Sequence, residues 1–460
     1  MIQLDLHFDM FPKTNDAYIV GGSVRDLLIG RSPKDFDIVV KKNQEQFAEK
    51  IAQTHQGHVA KIGKDHQTII RVILKDHTLD ISNMNGDSIQ DDLKQRDFTI
   101  NALAYSLDTQ KLVDCTGGLY DLENKTIRMV SEHVFQKDPI RLLRAYRISS
   151  DIDFQIEPKT CSFIKTGSAL IYHSAGERIR DELFKILASY NSHRYILKMA
   201  ESGLLPALFP ELIRLKNCVQ NTHHIHDVYD HTLNAYNHLE TLLSGNNRLI
   251  IKIFDSHFDS HIDKNINHLL KYAMLLHDTG KPDSKTVDDN GRIHFFNHGK
   301  KSAELAGNVC DRLKFSTREK KTVDLIIHNH LKPLFLFNLQ QDNQLTHKTV
   351  TRFFMACGDL TPCVLLHFIA DTCGKKEQVN DNIIKFAINL MTEYMSGFSV
   401  EKNKPALING NDLISKFGLA PSPMFSKILN SVEEARLAGE IQNKKAALQL
   451  AKQIISVLSG

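Results

Sequence analysis

The chain has 460 residues, of which 42% are hydrophobic and 24% charged, and this composition indicates a soluble globular protein with two or more domains. A net charge of +3 permits contact with nucleic acid without requiring it, and seven scattered cysteines without a CxxC pair argue against a disulfide framework or a structural zinc site. The first residues lack the basic start and apolar core of a signal peptide, and no apolar run is long enough to span a bilayer, so we expect a cytoplasmic protein that makes no membrane contact.

Strand-like and helix-like stretches alternate before Asp138, whereas helical patterns dominate after it. The stretches AYIVGG, DFDIVV, HTLDIS and TIRMV carry the β-branched and aromatic residues typical of strands, and NQEQFAEKIAQTH has helical spacing. Later stretches place apolar residues at helical intervals, among them DPIRLLRAYRISS, ERIRDELFKILASY, YDHTLNAYNHLETLL and NKKAALQLAKQIISVL. We therefore predict an α+β protein in which a head with a mixed sheet and helices precedes a long all-α body.

The stretch YIVGGSVRDLLIGRSPKDFDIVV, residues 18–40, combines a glycine pair, a cation and two carboxylates. Gly21 and Gly22 follow a predicted strand and precede a helix, where backbone without a Cβ can approach a phosphate closely. Arg25, in the first turn of that helix, can meet an anionic group with two hydrogen bonds. The stretch is not a Walker loop, because the Lys-Ser/Thr pair is absent, and the glycines alone favour an ordinary strand–turn–helix corner.

Asp35 and Asp37 shift the interpretation towards phosphate chemistry. Residues i and i+2 of a strand point to the same face, so both carboxylates project together. Adjacent carboxylates repel each other unless a cation lies between them, and Mg²⁺ prefers such hard oxygen ligands. A DxD pattern alone is also common at solvated strand ends. Its combination with the glycine turn and Arg25 is much less common and favours phosphoryl or nucleotidyl transfer with two metal ions.

Two further stretches add charged residues that suit the same chemistry. In LKQRDFTINALAY, residues 93–105, Arg96 can bind a triphosphate, Asp97 can accept a hydrogen bond from a ribose hydroxyl, and a predicted helix contains Asn101. In KDPIRLLRAYR, four charged residues advance by three positions along one helix surface, namely Asp138, Arg141, Arg144 and Arg147. Such a basic stripe is usually solvated or paired with surface acids, but here it accompanies a predicted anion site.

Five motifs, in order over residues 18–187, resemble those of the class II tRNA nucleotidyltransferase and bacterial poly(A) polymerase family, which has the polymerase-β nucleotidyltransferase fold. GGSVRDLLIG…KDFDIVV resembles the first motif of the family, and QRDFTINALAY resembles its RRDFTINA motif. VDCTGGLYDL resembles its flexible turn through Asp114, Gly118 and Asp121. DPIRLLRAYR resembles the nucleobase-reading helix, and ERIRDELFKIL resembles the motif that follows in the neck.

The resemblance implies that Asp35 and Asp37 hold Mg²⁺ while the 3′-hydroxyl of tRNA attacks the α-phosphate of CTP or ATP and pyrophosphate leaves. It also implies that Asp138 accepts a hydrogen bond from the exocyclic amine of the base and that Arg141 donates to a ring acceptor, whereas uracil and guanine oppose Asp138 with a carbonyl. The nucleotide-binding residues implied in this way are Gly22, Arg25, Arg96, Asp97, Asn101, Asp138, Arg141, Arg144 and Arg147.

The chain departs from the family pattern in its second motif, and its neck motif has two explanations. Gln95 stands where the RRD sequence has its first arginine, so we take Arg96 as the functional position. In the neck motif, Ser174 and Glu177 also form a Ser-x-x-Glu capping box, so a helix cap explains those residues as well as a binding role does.

A short connection bears on specificity. Only NMNGDS separates LDIS from IQDDLKQRD, so the loop at 84–88 is shorter than the mobile loop that CCA-adding relatives and poly(A) polymerases generally have there. Relatives with a shortened loop resemble CC-adding enzymes, which stop after two cytidines and leave the adenosine to a separate A-adding enzyme. We therefore expect CC addition. Complete CCA addition, A addition and poly(A) synthesis remain alternatives, because loop shortening is also thermodynamically inexpensive.

A second constellation lies in the helical region, in HHIHDVYDHTL (223–233), LLHDTGKP, FFNHGKKSAELA, IIHNH and FIADTCG. It resembles the HD phosphohydrolase family, in which a divalent metal generates a hydroxide that attacks phosphorus. The resemblance implies a divalent transition metal or Mg²⁺ with the ligands His231, His277, Asp278 and Asp371. His298 and His328 match auxiliary metal- or phosphate-binding positions. A domain kept only for packing or RNA contact is an equal alternative.

The two resemblances imply four segments: a nucleotidyltransferase head (1–137), a helical neck and body (138–222), an HD domain (223–400) and a helical, RNA-contacting tail (401–460). Recognition of tRNA is expected through shape and backbone charge. Two rival functions are an HD phosphohydrolase that uses the head as an RNA-binding module and a non-catalytic tRNA-binding protein. The intact DxD pair argues against the second.

Overall fold

The protein is described by a computed structural model that covers residues 11–12, 16–33, 35–63, 68–220, 227–244, 266–375 and 380–459. These residues form two compact units, the first comprising the chain up to 189 together with 195–208, and the second comprising 190–194 and the chain from 209 onward. The first unit contains a mixed sheet and helices, and the second is almost entirely helical. The predicted α+β class, with strands concentrated before Asp138, is confirmed.

One seven-stranded sheet organises the head. Its strands are β1 (Ala17–Val20), β2 (Asp35–Val40), β3 (His58–Ile62), β4 (Ile69–Ile73), β5 (Thr78–Asn83), β6 (Leu103–Ser106) and β7 (Leu112–Asp114). They lie in the order β3-β4-β5-β2-β1-β6-β7, and every pair of neighbours is antiparallel except β2 and β5. Along β2, Phe36 and Ile38 are buried while Asp35 and Asp37 are exposed. The alternation predicted from DFDIVV therefore places both carboxylates on the open face.

The helices of the first unit are α1 (Gly22–Leu28), α2 (Gln44–His55), α3 (Ile89–Lys94), α4 (Gly118–Glu123), α5 (Glu132–Lys137), α6 (Ile140–Ile152), α7 (Pro158–Gly167), α8 (Gly176–Ala188), α9 (Ser192–Glu201) and α10 (Leu204–Leu208), of which α9 begins in the second unit. Two short strands, β8 (Thr126–Ile127) and β9 (Gln155–Ile156), pair with each other. The core of the head forms where Phe47 and Ile51 of α2 pack with Ile38, Val72 and Leu79 of the sheet.

The stretch that contains Asn101 is not the predicted helix. Residues Thr99–Asn101 form one 3₁₀ turn, and β6 begins at Leu103 and pairs with both β1 and β7. Every residue of β6 is buried. Pairing on both edges therefore outweighs the helical propensity of this stretch.

The second unit is built from the helices α11 (Pro210–Ile213), α12 (Val228–Leu243), α13 (Asn267–Leu276), α14 (Lys281–Ser284), α15 (His298–Arg312), α16 (Thr317–Asn329), α17 (Lys332–Gln341), α18 (His347–Cys357), α19 (Thr361–Cys373), α20 (Asp381–Glu393), α21 (Ser399–Lys402), α22 (Gly410–Phe417), α23 (Pro423–Leu437) and α24 (Lys444–Ser459). A small hairpin, β10 (Lys285–Val287) and β11 (Ile293–Phe295), was not predicted from the sequence. Helices α12, α13, α16 and α19 pack together at its centre.

Within the described ranges, one helical stretch, residues 347–373, is long and apolar enough to pass as a membrane span, with a mean hydropathy of 1.6 in its most apolar window. Most of that window, 72%, is buried inside the protein. Gly358, at φ +53°, also breaks the stretch into α18 and α19. Packing in the helical core of the second unit accounts for its apolar character.

Candidate active sites

A glycine turn brings the end of β1 close to the second motif. Gly21 has a φ of +73°, and a Cβ at this position would lie 2.9 Å from Arg96 Nη1 and 3.4 Å from Asp37 Oδ2. Any L side chain there would meet both an unfavourable backbone conformation and crowding. Gly22, which begins α1, would place a Cβ only in ordinary contact with Arg25. Gly21 is therefore the glycine whose missing side chain allows this close approach.

The open face of the sheet carries three carboxylates, because Asp80 of β5 is the parallel register partner of Asp37. Arg71 of β4 donates two hydrogen bonds of 2.7 Å to Asp80. Asp37 keeps solvent contact, but the protein around it removes much of its hydration. This desolvation, with the charges of Asp80 and Asp35, raises the pKa of Asp37, and Arg96 opposes the shift. Such an excess of negative charge fits a divalent cation such as Mg²⁺ on Asp35 and Asp37.

Sequence reasoning missed Asp80. The residue lies in HTLDIS, a stretch correctly predicted as a strand, but its position beside Asp37 depends on the parallel pairing of β2 with β5. That register joins segments far apart in the chain and has no local signal. The one available clue was the alternation of Asp80 with the buried Leu79 and Ile81.

Arg25, Asn101 and Asp97 form a buried chain of hydrogen bonds. Arg25 Nη1 donates to Asn101 Oδ1 at 2.9 Å, and Asn101 Nδ2 donates to Asp97 Oδ1 at 3.0 Å. Arg25 is only 4% exposed and also forms an ion pair with Asp26. Burial alone would raise the pKa of Asp97, but Arg144 and Asn101 hold it below its ordinary value. The structure thus gathers three predicted residues around an ionised Asp97.

Glu182 of α8 binds two arginines of the basic stripe of α6. One of them, Arg144, links the stripe to the hydrogen-bond chain that ends at Asp97. Its Oε1 accepts a hydrogen bond from Arg144 Nε at 3.2 Å, and its Oε2 accepts one from Arg147 Nε at 3.0 Å. Arg144 Nη1 also donates to Asp97 Oδ2 at 3.3 Å. The stripe is therefore engaged in partly buried ion pairs. Glu182 lies in the neck motif, although the sequence gave no reason to single it out.

Asp138 and Arg141 lie side by side at the start of α6. Asp138 accepts two hydrogen bonds from Arg178 of α8, and Arg141 Nη1 donates to the carbonyl of Gln95 at 3.0 Å. Arg141 Nε is buried and has no hydrogen-bond partner within the described ranges. A buried donor without a partner is unfavourable, and such groups commonly mark a place where a ligand binds.

The helix-cap interpretation of the neck motif is wrong. Helix α8 begins at Gly176, and in the described part of the chain the buried hydroxyl of Ser174 has no hydrogen-bond partner. The charged residues Arg178 and Glu182 of this motif instead contact Asp138 and the α6 arginines. The motif therefore supports the predicted nucleotide-binding residues.

In the second unit, helices bring histidines and aspartates together in one buried cluster. The members lie on α12 (His231), at the end of α13 (His277 and Asp278), at the start of α15 (His298), directly after α16 (His330) and on α19 (Asp371). The ligand atoms of His231, His277, Asp278 and Asp371 all lie within 4.8 Å of one another, and Asp278, His298 and His330 form a second such group. Gly280 permits the packing, since a Cβ there would lie 2.7 Å from the carbonyl oxygen of His298.

The ring orientations of these four histidines suit metal binding. In each of them Nδ1 lies within hydrogen-bond distance of a backbone carbonyl. The carbonyl belongs to Gly374 for His231, to Met274 for His277, to Phe295 for His298 and to Ile327 for His330. A neutral ring that donates through Nδ1 presents the lone pair of Nε2 to a metal. In the described part of the chain, the buried His298 Nε2 forms no well-aligned hydrogen bond and lies 3.3 Å from Asp278 Oδ1. The cluster therefore fits divalent cations with nitrogen and oxygen ligands.

Positive groups balance the two buried carboxylates. Burial alone would lower the pKa of His277, but Asp278 and Asp371 raise it to about 9. Despite their burial, both carboxyl groups have pKa values well below the ordinary range, chiefly because of His277 for Asp278 and Lys375 for Asp371. Lys281 Nζ lies 2.6 Å from Asp278, and Lys375 Nζ lies 2.8 Å from Asp371. A divalent cation can replace the charge of the His277 proton in this arrangement.

The structure differs from the sequence prediction at one auxiliary position. His328 is exposed, whereas His330 packs beside His298 with ring centroids 5.3 Å apart. Residues two apart on a helix point about 200° apart, so only one histidine of IIHNH can face the cluster. The beginning of the first predicted stretch, residues 223–226, lies outside the described residues.

Sequence reasoning also missed His367. Its ring centroid lies 5.0 Å from that of His277, and neither of its buried nitrogens has a hydrogen-bond partner in the described residues. Burial lowers the pKa of His367 to about 3, so the ring is neutral. Its spacing of four residues from Asp371 on one helix was the signal that could have found it.

A mixed sheet that presents a DxD pair beside a glycine turn, with ion-paired arginines on the next helices, defines a nucleotidyltransferase, and the histidine–aspartate cluster adds an HD-type centre. Residues 17–128 match the Poly A polymerase head domain, and residues 228–352 match the HD domain. Residues 153–215 and 294–451 match RNA-binding and tRNA nucleotidyltransferase domain families.

An A-adding tRNA nucleotidyltransferase of Deinococcus radiodurans is 30% identical to this chain over 368 residues, which cover 78% of each protein. A CC-adding tRNA nucleotidyltransferase of Synechocystis sp. is 26% identical over 463 residues, 97% of this chain and 95% of that protein. The chain belongs to the tRNA nucleotidyltransferase and poly(A) polymerase family. Its fold resembles that of the Thermotoga maritima CCA-adding enzyme complexed with tRNA, with a TM-score of 0.59 at 23% identity, covering 96% of this chain and 91% of that one.

Replacing Gly21 by alanine is expected to destabilise the head by about 1–3 kcal/mol, because its φ of +73° and ψ of −140° lie in a backbone region that strongly favours glycine and the new Cβ would crowd Arg96. Gly22→Ala is the matched control, since its Cβ would meet Arg25 only at 3.5 Å. Calorimetric unfolding of both variants tests this difference, and equal transition temperatures would contradict it.

The metal-free protein is expected to lose stability in mildly alkaline solution. The pKa of His277 is about 9 in the folded protein and near 6.5 in an unfolded chain, so its stabilisation is complete below pH 6.5 and is lost as the pH rises through 9. The loss is on the order of 3 kcal/mol. Calorimetric unfolding in EDTA from pH 6 to 9.5 measures it, and His277→Gln should flatten the profile. A variant profile as steep as that of the wild type would show that another group is responsible.

Proposed function

We propose that this chain transfers cytidylate from CTP to the 3′ end of tRNA without a nucleic-acid template and stops after two additions. Cytoplasmic tRNA that is immature or damaged at its 3′ end is the substrate, and a separate A-adding enzyme completes it. The head (1–137) and neck (138–222) carry this reaction, and the tail (401–460) contacts RNA. The relatives that act on tRNA and the intact DxD pair support this assignment.

In the transfer step, the 3′-hydroxyl of the RNA loses its proton to solvent, its oxygen bonds to the α-phosphorus of CTP, and the bond from that phosphorus to the bridging oxygen of pyrophosphate breaks. Mg²⁺ bound by Asp35 and Asp37 would neutralise charge on the phosphates. Arg96 lies beside the Gly21 turn and can contact the triphosphate. Among the described residues, Asp97 Oδ2 accepts only the 3.3 Å bond from Arg144, so a lone pair is left for a ribose hydroxyl.

Base selection rests on Asp138 and Arg141. The exocyclic amine of cytosine or adenine can donate to Asp138 while Arg141 Nε, the buried donor without a partner, donates to the adjacent ring nitrogen. Uracil and guanine present a carbonyl to Asp138, so two acceptors would face each other. A desolvated mismatch of this kind costs more than the loss of one hydrogen bond.

The loop at 84–88 is the observation that carries the preference for CC addition. Ser88 caps α3 through the Asp91 N–H, and the Asn85 N–H donates to Asp92, which also pairs with Arg96. The five residues are thus tied to the helix that precedes the triphosphate-binding arginine, and they leave little length for a loop that remodels the site between cytidine and adenosine addition. Full CCA addition, A addition and poly(A) synthesis are the competing outcomes.

Purified protein incubated with Mg²⁺ and tRNA ending at the discriminator base should add two cytidines and stop, even when ATP is present. Products resolved at single-nucleotide resolution distinguish this result from a third addition of adenosine, from A addition to tRNA already ending in CC, and from an oligo(A) tail. Any of these three would overturn the CC assignment.

Asp37→Asn should lower incorporation by roughly a hundredfold or more, because it removes one of two metal-binding carboxylates. The control is Asp151→Asn, a change to an exposed carboxylate of α6 that pairs with Arg31. Wild-type-like incorporation by Asp37→Asn would contradict the assignment of the DxD pair.

A second activity, hydrolysis of a phosphate ester in the HD domain (223–400), is favoured by the full set of buried ligands. A divalent cation would supply Lewis-acid activation of water there. Lys281 and Lys375 lie beside the two ligand carboxylates, where they can also attract an anionic substrate. RNA ends that carry a terminal or cyclic phosphate are suitable substrates for a domain joined to an RNA-modifying head.

Hydrolysis should be assayed on RNA with a 3′-phosphate or a 2′,3′-cyclic phosphate, with Mg²⁺, Mn²⁺ or Ni²⁺ in turn. Asp371→Asn is expected to abolish hydrolysis and to preserve cytidine addition, and Asp37→Asn should do the reverse. If none of the three metals supports hydrolysis, the second activity is rejected and the cluster has a structural role.

A further inference from the structure

Arg178 holds the carboxylate of Asp138 in one orientation. From the first turn of α8, its Nη1 donates to Asp138 Oδ1 at 2.9 Å and its Nη2 donates to Oδ2 at 3.0 Å. Parallel bonds of this kind fix both the position and the plane of a carboxylate. The side chains remain 47% and 27% exposed, and an ion pair with this much solvent contact contributes little to folding stability. Its geometry therefore calls for an explanation other than stability.

The neighbouring Arg141 explains what this orientation achieves. Arg141 Nε lies 3.8 Å from Asp138 Oδ2, too far for a hydrogen bond, and it has no other partner among the described residues. A carboxylate released from Arg178 needs only a small rotation to close this gap and form a direct ion pair with Arg141. Such a pair would occupy both the acceptor of Asp138 and the donor of Arg141, and neither would then be available to a base edge.

We propose that Arg178 is a positioning residue for base selection, which keeps Asp138 apart from Arg141 so that both remain available to the incoming base. This inference rests on the proposed function of the head. Arg178 occupies one lone pair of each oxygen and leaves the others for an exocyclic amine. The side-chain contacts of Arg178 in the described chain are with Asp138, so its effect on the base would pass through that carboxylate.

The test compares the kcat/KM for CTP with that for UTP on tRNA ending at the discriminator base. Arg178→Ala should lower the CTP preference at least tenfold, mainly through a poorer kcat/KM for CTP. Arg178→Lys, which keeps the charge but provides no planar pair of donors, should fall between the alanine variant and the wild type. Arg180→Ala is the matched control, because Arg180 lies on the same helix and pairs with its neighbour Asp181. It should discriminate like the wild type.

A double-mutant cycle separates positioning from general structural damage. Asp138→Ala should itself lower the CTP preference, and adding Arg178→Ala to it should change the preference no further. If the two substitutions lower the CTP preference by independent factors that multiply in the double variant, the proposal is wrong. A wild-type preference in Arg178→Ala would also overturn it, as would an equal loss of kcat/KM for all four nucleotides in that variant. Calorimetric unfolding identifies any variant that has lost its fold, and Arg178→Lys then carries the test. Absence of CTP incorporation by the wild type would instead reject the proposed function.

Discussion

The ionised, buried Asp97 is the group on which the nucleotidyltransferase site depends. Its two oxygens accept hydrogen bonds from the Phe98 N–H, Asn101 and Arg144, so one carboxylate joins the 3₁₀ turn to α6 and, through Asn101, to Arg25 of α1. A buried charge is tolerated only when it is paired and hydrogen-bonded in this way. Loss of the carboxylate would leave Asn101 Nδ2 without this acceptor and Arg144 with Glu182 alone, so the link between Arg25 and the α6 stripe would be broken.

The HD cluster also keeps its buried charges paired, but its balance of positive and negative charge is opposite to that of the head site. In the head, three carboxylates share one face with two arginines, and Asp37 is left short of positive charge. In the HD cluster, each carboxylate already has a lysine within 3 Å and a histidine close by. A divalent cation would therefore relieve repulsion in the head site, whereas a cation in the HD cluster would have to displace the proton of His277. That exchange would favour metals that bind imidazole strongly.

Local chemistry could be predicted from the sequence, whereas non-local pairing could not. The phase of β2, most helix positions and the proximity of His277 to Asp278 follow from patterns within a few residues and were predicted correctly, whereas the helix predicted at Asn101 was wrong because β6 pairs with strands on both sides. Asp80 depends on a parallel register, and Arg178 and Glu182 depend on how α8 packs on α6, so no short window contains these contacts. The choice of His330 over His328 depends on the phase of α16 relative to its neighbours, which IIHNH leaves open.

Hydrogen-bond saturation distinguishes the residues that build these sites from those that are open to ligands. Asp114, in the flexible-turn motif, accepts bonds from four successive backbone N–H groups, and the oxygens of Glu182 are taken by two arginines. Arg141 Nε and His298 Nε2 are buried without a hydrogen-bond partner in the described chain, and the carboxylate oxygens of Asp138 and Asp278 lie 3.8 Å and 3.3 Å from them in turn. Folding alone gains little from such groups, because each is desolvated without forming a good hydrogen bond. A ligand that supplies the missing partner recovers that free energy only when its own donors and acceptors match, and for the proposed transfer without a nucleic-acid template this requirement would provide a physical basis for choosing a base.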